Sequence, residues 1–156
     1  MILLLDNTVL SNFASVERMD LLYRVVGRGA VPLQVFQELQ QGIKKGLLPP
    51  VDVSRLQVLE PTPEEEVDYN RLRQKLNRGE AACLAIAAHR KARVLTDDRD
   101  ARILAGRMGI PVSGTLGVLV QLVRSGSSTL DEADRLLEAM IRQGYWAPIS
   151  KLQDLL

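Results

Sequence analysis

The chain has 156 residues, of which 46% are apolar and 25% are charged, and its formal net charge is +1. This length and balance predict one soluble globular domain, spanning 1–156, that can bury a substantial core. The nearly neutral charge excludes a protein that binds nucleic acid through its whole surface, because such proteins are strongly basic. Any nucleic-acid contact must come from a local patch or through metal ions.

The single cysteine, Cys83, and the single histidine, His89, exclude several kinds of site. One cysteine cannot form an internal disulfide, and we expect a cytoplasmic protein because this cysteine usage fits a reducing compartment. Zinc held by histidine and cysteine is excluded, since such a site needs about four of these ligands. We interpret His89 as a surface residue near a helix C-terminus and not as a catalytic base. No apolar run reaches the ~18–20 residues of a membrane span, so no membrane contact is expected.

Short apolar runs alternate with longer segments of helical periodicity, which predicts an α/β fold with a mostly parallel sheet. The first half of the chain predicts a strand over 2–5 and a helix over 8–26 that Asn7 or Thr8 caps. A helix over 33–43 follows, with Pro32 in its first turn, and then a strand over 56–59. A capping box that opens at Thr62 starts a helix reaching to about residue 76.

The second half of the chain begins with a segment over 80–91 that is apolar on nearly every face, which predicts a buried helix. The pattern continues with a strand over 94–96, a helix over 99–108, a strand over 110–112 and a helix over 116–124. A second capping box, at Thr129, opens a helix that reaches to about residue 143. A short helix over 150–156 closes the chain.

Acidic residues stand at the ends of predicted strands and on the flanks of predicted helices. They are Asp6, Glu38, Glu80 and the group Asp97, Asp98 and Asp100. In open parallel sheets, functional side chains cluster outside the carboxyl ends of the strands. Carboxylates gathered there repel one another unless hard cations such as Mg²⁺ or Mn²⁺ join them, so we expect at least one raised carboxylate pKa without metal.

Each acid taken alone also has a purely structural interpretation. Asp6 could be a neighbour of a helix cap, Glu80 could complement a helix dipole, and Glu38 could be a solvated residue at the rim. Taken together they favour two-metal phosphodiester hydrolysis, which needs several carboxylates to hold cations about 3.5–4 Å apart.

The ordered motifs resemble the PIN-domain family over nearly the whole chain. The resemblance rests on five segments: 6–11 (DNTVLS), Glu38, 79–88 (GEAACLAIAA), 95–102 (LTDDRDAR) and 114–119 (GTLGVL). It implies a Rossmann-like three-layer α/β/α sandwich and Mg²⁺- or Mn²⁺-dependent cleavage of RNA. Many small prokaryotic members, of the VapC type, are toxins that an antitoxin encoded beside them neutralises, which makes a cognate antitoxin an expected partner.

The resemblance assigns metal ligands position by position. Asp6 matches the first acid, Glu38 the second, and Glu80 the third, where many members have the shorter Asp. Asp98 best matches the fourth acid in the pattern Thr-x-Asp, with Asp100 next and Asp97 third. Thr8 resembles the hydroxyl residue beside the first acid, which could hold a water or a phosphate oxygen.

A homodimer is predicted from apolar surface and from the family resemblance. The apolar residues Val9, Phe13 and Val16, with the C-terminal apolar residues, exceed what one small sheet obviously buries, and the resemblance suggests a homodimer. Tyr145 and Trp146 could stack on a base, but we favour their closing the C-terminal core.

The residues are also compatible with rival functions. A haloacid-dehalogenase-type phosphatase would place a second Asp where Thr8 stands, and a response-regulator receiver would order its acids differently. The principal non-enzyme alternative is a PIN-like scaffold that binds RNA or protein without cleaving it. A housekeeping RNA-processing nuclease is the alternative to a toxin.

Overall fold

The computed structural model describes residues 1–156 and contains one sheet of five parallel strands in the order β3-β2-β1-β4-β5. The strands are β1 Ile2–Leu5, β2 Ala30–Pro32, β3 Gln57–Leu59, β4 Ala92–Leu95 and β5 Val112–Ser113. The chain builds one half of the sheet outward from β1, then returns to the other side of β1 with β4. The crevice at the carboxyl ends of β1 and β4 is therefore a topological switch point, where ligands bind in such sheets.

Eight α-helices connect and cover the strands. They are α1 Asn7–Ser15, α2 Met19–Val26, α3 Leu33–Lys44, α4 Pro63–Leu72, α5 Arg78–Arg90, α6 Arg99–Arg107, α7 Thr115–Arg124 and α8 Leu130–Arg142, followed by a 3-10 turn, Gln153–Leu155. Helices α3 and α4 pack on α5, whereas α2 and α8 pack on α7. The predicted Rossmann-like α/β/α sandwich is confirmed, and its strand order differs from the 2-1-3-4-5 order of receiver domains. No helix has the length and apolarity that a membrane crossing requires.

The predicted helix over 8–26 is in fact two helices. Its break lies at Glu17, which adopts a left-handed backbone with φ of 56°. The Glu17 N–H donates to the Ala14 carbonyl and the Arg18 N–H donates to the Phe13 carbonyl, which is the bond pattern of a Schellman motif. The prediction failed because glycine normally occupies this position, and a glutamate there gives no stop signal.

Strand β2 was not predicted, because it has only three residues and ends in Pro32. All three are buried, and β2 lies between β1 and β3. Three residues are too few to show an alternating pattern in the sequence. A proline, which lacks the N–H that strands donate, argues against a strand in a prediction from sequence. Pro32 then serves as the N-cap of α3, so it lies one residue before the helix that it was predicted to begin.

One core contains 38 buried hydrophobic residues. Val9 and Phe13 are fully buried inside it, so these two residues of the apolar face that motivated the homodimer prediction are covered within a single chain, whereas Val16 is half-buried and Leu155 and Leu156 are exposed. Trp146 lies outside the core, with 95% of its surface exposed, and the prediction that it closes the C-terminal core is wrong. Tyr145 is half-buried and does pack against the core.

A buried ion pair joins helices α4 and α5. Glu65 is 1% exposed and completes the predicted capping box by accepting from the Thr62 N–H. The Arg90 guanidinium donates to both carboxylate oxygens of Glu65, at 2.7 and 2.8 Å. Burial alone would raise the pKa of Glu65, but the Arg90 and Thr62 hydrogen bonds outweigh it, and the pKa lies below its ordinary value of 4.5.

We predict that Glu65→Gln lowers the free energy of unfolding at pH 7 by about 2 kcal/mol, because charge-assisted hydrogen bonds contribute roughly 1.5–3 kcal/mol each. Since folding lowers the pKa of Glu65, its contribution is present above the unfolded pKa and disappears as pH falls through the folded pKa. Urea unfolding at pH 7 and pH 3 should therefore show a difference that shrinks in acid. Glu64→Gln, at an exposed neighbouring position, is the control; a Glu65→Gln deficit as large at pH 3 as at pH 7 would contradict this account.

Candidate active site

Asp6 follows β1 directly and lies at the centre of the candidate site. It is 2% exposed, and its carboxylate accepts from the Asn7 N–H at 2.8 Å, which makes Asp6 the N-cap of α1 in place of the predicted Asn7 or Thr8. Burial raises the pKa of Asp6, its hydrogen bonds partly oppose that change, and the negative charge of Glu38 adds to it.

Two threonine hydroxyls join the ends of β1 and β4. The hydroxyls of Thr8 and Thr96 both donate to Asp6 Oδ2, at 3.1 and 2.8 Å. In turn, Thr8 accepts from the Asp97 N–H and Thr96 accepts from the Asp98 N–H. The hydroxyls therefore tie the first acid to the loop that carries the later ones, and Thr8, predicted to face water or phosphate, is bound to protein groups on both sides.

Glu38 reaches the same edge from helix α3. It is half-buried, and its Oε2 accepts from the Asn7 side-chain amide at 3.0 Å. The same amide also donates to the Val35 carbonyl at 3.0 Å. Asn7 thus holds the second acid beside the first.

Glu80 lies in the first turn of α5 and is 6% exposed. It completes a capping box with Asn77, whose backbone and side-chain nitrogens donate to its carboxylate. Burial raises the pKa of Glu80 to about 7, and repulsion from Asp6, Asp98 and Glu38 adds to the rise. The expected elevation of a carboxylate pKa is confirmed, with burial as its largest cause and repulsion as the second.

The three aspartates after β4 have different surroundings. Asp98 caps α6, with its Oδ2 accepting from the Ala101 N–H at 2.8 Å, and its charge acts on Glu80. Asp97 turns to the other side, where it accepts from the Thr115 N–H and from the Asn12 amide. Asp100 is exposed in the first turn of α6. Among the three, Asp98 faces the other acids.

The single histidine lies on the surface, and the single cysteine lies near the acids but is buried. His89 is exposed at the end of α5 and lies 2.7 Å from Asp68 of α4, as expected of a surface residue. Cys83 is buried, and burial followed by repulsion from nearby acids raises its thiol pKa well above the ordinary range. Neither group is placed to act as a nucleophile or base at the acids.

Comparisons with known proteins agree with this geometry. Residues 2–156 match the family model DUF3368, which is described as a PIN domain. This chain belongs to the PIN-domain family. The crystal structure of PAE2754 from Pyrobaculum aerophilum has the same fold, with a TM-score of 0.57 and 20% identity over 80% of this chain and 90% of that chain. No curated protein sequence is significantly similar to the chain.

PIN domains are generally nucleases that use divalent metal ions, and the residues of this PIN domain fit such an ion. All four acids offer carboxylate oxygens, the donors that Mg²⁺ and Mn²⁺ prefer. Gly79 leaves the space between two of them clear, because a Cβ atom there would lie 3.3 Å from Glu38 Oε2 and 3.4 Å from Asp6 Oδ1. The buried Oδ1 of Asn7 also has no hydrogen-bond donor.

The carboxylates are at present turned toward protein donors. No group of three acidic, histidine or cysteine side chains converges closely enough to ligate one ion. Both carboxylate oxygens of Glu80 accept from Asn77 at the start of α5, so direct ligation by Glu80 has to displace those bonds. Asp98 uses its Oδ2 to cap α6, and an ion would compete with the Ala101 N–H for that oxygen.

Three residues that the sequence motifs contain were given no role in positioning the acids: Asn7, Thr96 and Gly79. Asn7 and Thr96 contribute through hydrogen bonds between segments 31 and 90 residues apart, which no local pattern reveals. Gly79 contributes by lacking a side chain. Their places in the motifs, beside Asp6, Asp98 and Glu80, were the only sequence signal of these roles.

The three aspartates after β4 give a prediction that separates their roles. Asp98→Asn should weaken Mn²⁺ binding at least about tenfold while keeping the fold, because asparagine caps a helix as well as aspartate does. Asp97→Asn should change Mn²⁺ affinity little but lower stability by roughly 1–2 kcal/mol, since it disturbs buried hydrogen bonds to Thr115 and Asn12. Asp100→Asn should change neither. Calorimetric titration with Mn²⁺ and thermal unfolding measure the two effects, and full affinity in Asp98→Asn would show that Asp98 is not a ligand.

Proposed function

We propose that this PIN domain is an Mg²⁺- or Mn²⁺-dependent endoribonuclease that hydrolyses RNA phosphodiester bonds at Asp6, Glu38, Glu80 and Asp98. The observation that carries the proposal is the gathering of four acids, from four different segments of the chain, at the switch point of a parallel sheet. Their negative charge is concentrated where burial already disfavours it, so the site has a strong electrostatic preference for cations. A scaffold that only bound RNA would have no use for buried carboxylates that oppose folding and repel phosphate.

The proposed roles follow from the hydrogen bonds. Asp6 and Glu38 are held side by side by Asn7 and would provide the fixed carboxylates for an ion. Glu80 and Asp98 would turn toward that ion from their helix caps. Bound divalent ions supply charge neutralisation for phosphate and activate the attacking water. Thr8 and Thr96 keep Asp6 oriented, so that its carboxylate would stay fixed while Glu80 and Asp98 turn.

Removal of the first acid tests this proposal. We predict that Asp6→Asn abolishes cleavage of a fluorogenic RNA and leaves the fold intact, because the amide has the same shape but lacks the charge that holds a cation. Wild-type activity should vanish in EDTA and return with Mg²⁺ or Mn²⁺.

Asp131→Asn removes an exposed aspartate in the first turn of α8 and is the matched control, which should keep full activity. His89→Ala should also be nearly silent. An EDTA-resistant activity that Asp6→Asn keeps and His89→Ala loses would overturn the proposal. RNA binding without any cleavage in Mg²⁺ or Mn²⁺ would favour the non-catalytic scaffold.

The proposed physiological role is that of the toxin of a toxin–antitoxin pair, with a cognate antitoxin protein as partner and a homodimer as the assembled form. Its support is the family resemblance, which extends over residues 2–156. The homodimer stays a prediction: of the residues first offered for its interface, Val9 and Phe13 are buried in the core, whereas Leu155 and Leu156 are exposed.

Induced expression in a bacterial host tests the toxin role. We predict that the wild-type chain arrests growth, that Asp6→Asn does not, and that co-expression with the neighbouring small reading frame restores growth. Asp131→Asn should arrest growth like the wild type. Normal growth under a wild-type protein that cleaves RNA in vitro would instead favour a housekeeping RNA-processing nuclease.

A further inference from the structure

Trp146 is the only tryptophan of the chain, and the fold leaves 95% of its surface exposed. It stands in the loop after α8, beside two more exposed apolar side chains, Ile103 of α6 and Ile141 of α8. Together with Arg99 and Pro148, these residues line an open groove of about 870 Å³. Sites of this volume, with apolar walls and a few polar groups, are typical of ligand binding.

The groove continues into the edge that carries the acids. A second, smaller cavity of about 390 Å³ is shared by Thr8 and Asp98 on one side and by Trp146 on the other, with Arg99 lining both cavities. Trp146 therefore borders a depression that begins beside Asp98, one of the four acids of the proposed site, and beside Thr8, whose hydroxyl contacts Asp6. A chain bound at Asp98 can continue along this depression toward the indole ring.

The charges along this path suit a phosphate backbone. Arg99 is exposed at the start of α6 and belongs to none of the five ion pairs of the chain. Arg102 lies one turn further and donates to the Thr96 carbonyl. The one acid lining both cavities, Asp97, is already bound by Thr115 and Asn12. An unpaired cation next to an exposed indole is the combination that single-stranded nucleic acid uses.

We propose that Trp146 is a stacking platform for an unpaired base of the RNA substrate, with Arg99 binding an adjacent phosphate. This inference rests on the proposed function and extends it by adding a base-binding position beside the proposed site. A base inside a duplex already stacks on its neighbours and cannot lie against the indole, whereas a base in a loop or a single strand can. Trp146 acts in substrate binding and does not touch the reacting phosphate.

Because Trp146 is the sole tryptophan, its fluorescence reports the contact directly. We expect a 12-nucleotide single-stranded RNA to quench wild-type emission in EDTA, where the strand stays intact, and the duplex of the same sequence to quench it much less.

In Mg²⁺, Trp146→Ala should raise the KM for the single strand about tenfold with little change in kcat, since stacking contributes roughly this factor or more per base. Trp146→Phe should restore most of the affinity, measured by anisotropy of labelled RNA. Arg99→Ala should raise KM most at low salt.

Two exposed positions outside the groove are matched controls. Val67→Ala removes an apolar side chain on α4, and Arg107→Ala removes an arginine at the far end of α6; both should leave KM unchanged. Quenching by single-stranded RNA in a protein that never cleaves it would support the platform and refute the proposed nuclease. Cleavage with no quenching and an unaltered KM in Trp146→Ala would refute the stacking role and support the proposed nuclease. The groove around Trp146 would then be a candidate binding surface for a protein partner. Equal quenching by the duplex would also refute the stacking role.

Discussion

The placement of several carboxylates at one poorly hydrated edge of a sheet is the constraint on which the rest of this structure depends. Asp6 and Glu80 are almost completely buried, and burial is the largest cause of the raised pKa of each. Such a cluster opposes folding unless other groups compensate for the lost water and the mutual repulsion. The local structure around the site can be understood as that compensation.

Helix N-termini supply much of the compensation for burying these carboxylates. Asp6 caps α1, Asp98 caps α6 and Glu80 completes the capping box of α5, so three helices direct their positive ends toward the acids. These acids have a structural role and a proposed catalytic role at once. The caps stabilise the metal-free state, and we infer that a bound cation would compete with them for the Glu80 and Asp98 oxygens. Glu38 is the exception, because it lies beyond the first turn of α3 and depends on the Asn7 amide.

Much of this organisation was predictable from local sequence signals. Strand β1 and the capping boxes at Thr62 and Thr129 were predicted correctly, because a short apolar run and a Thr-x-x-Glu pattern specify them within a few residues. The break at Glu17 and the three-residue strand β2 were missed, since the first uses an atypical left-handed residue and the second is fixed by its two neighbours in the sheet.

At the site, too, features with a local sequence signal were predictable and features set by long-range contacts were not. The acids could be found because their residue type and motif spacing are visible in the sequence. The groups that orient them could not, because Asn7 and Thr96 act through long-range hydrogen bonds and Gly79 through an absent side chain. Trp146 was assigned to the core by its apolarity, yet whether an aromatic residue is buried depends on packing between distant elements, here the end of α8 and helix α6.

A crystal soaked in Mn²⁺ would show whether these carboxylates hold a divalent cation. We predict an anomalous peak between Asp6 and Glu38, with oxygen ligands at about 2.0–2.6 Å and with Glu80 or Asp98 turned out of its helix cap. The peak should be absent from crystals of Asp6→Asn. Manganese bound only elsewhere, for example at Asp68 and His89, with the four acids still turned to their caps, would contradict it.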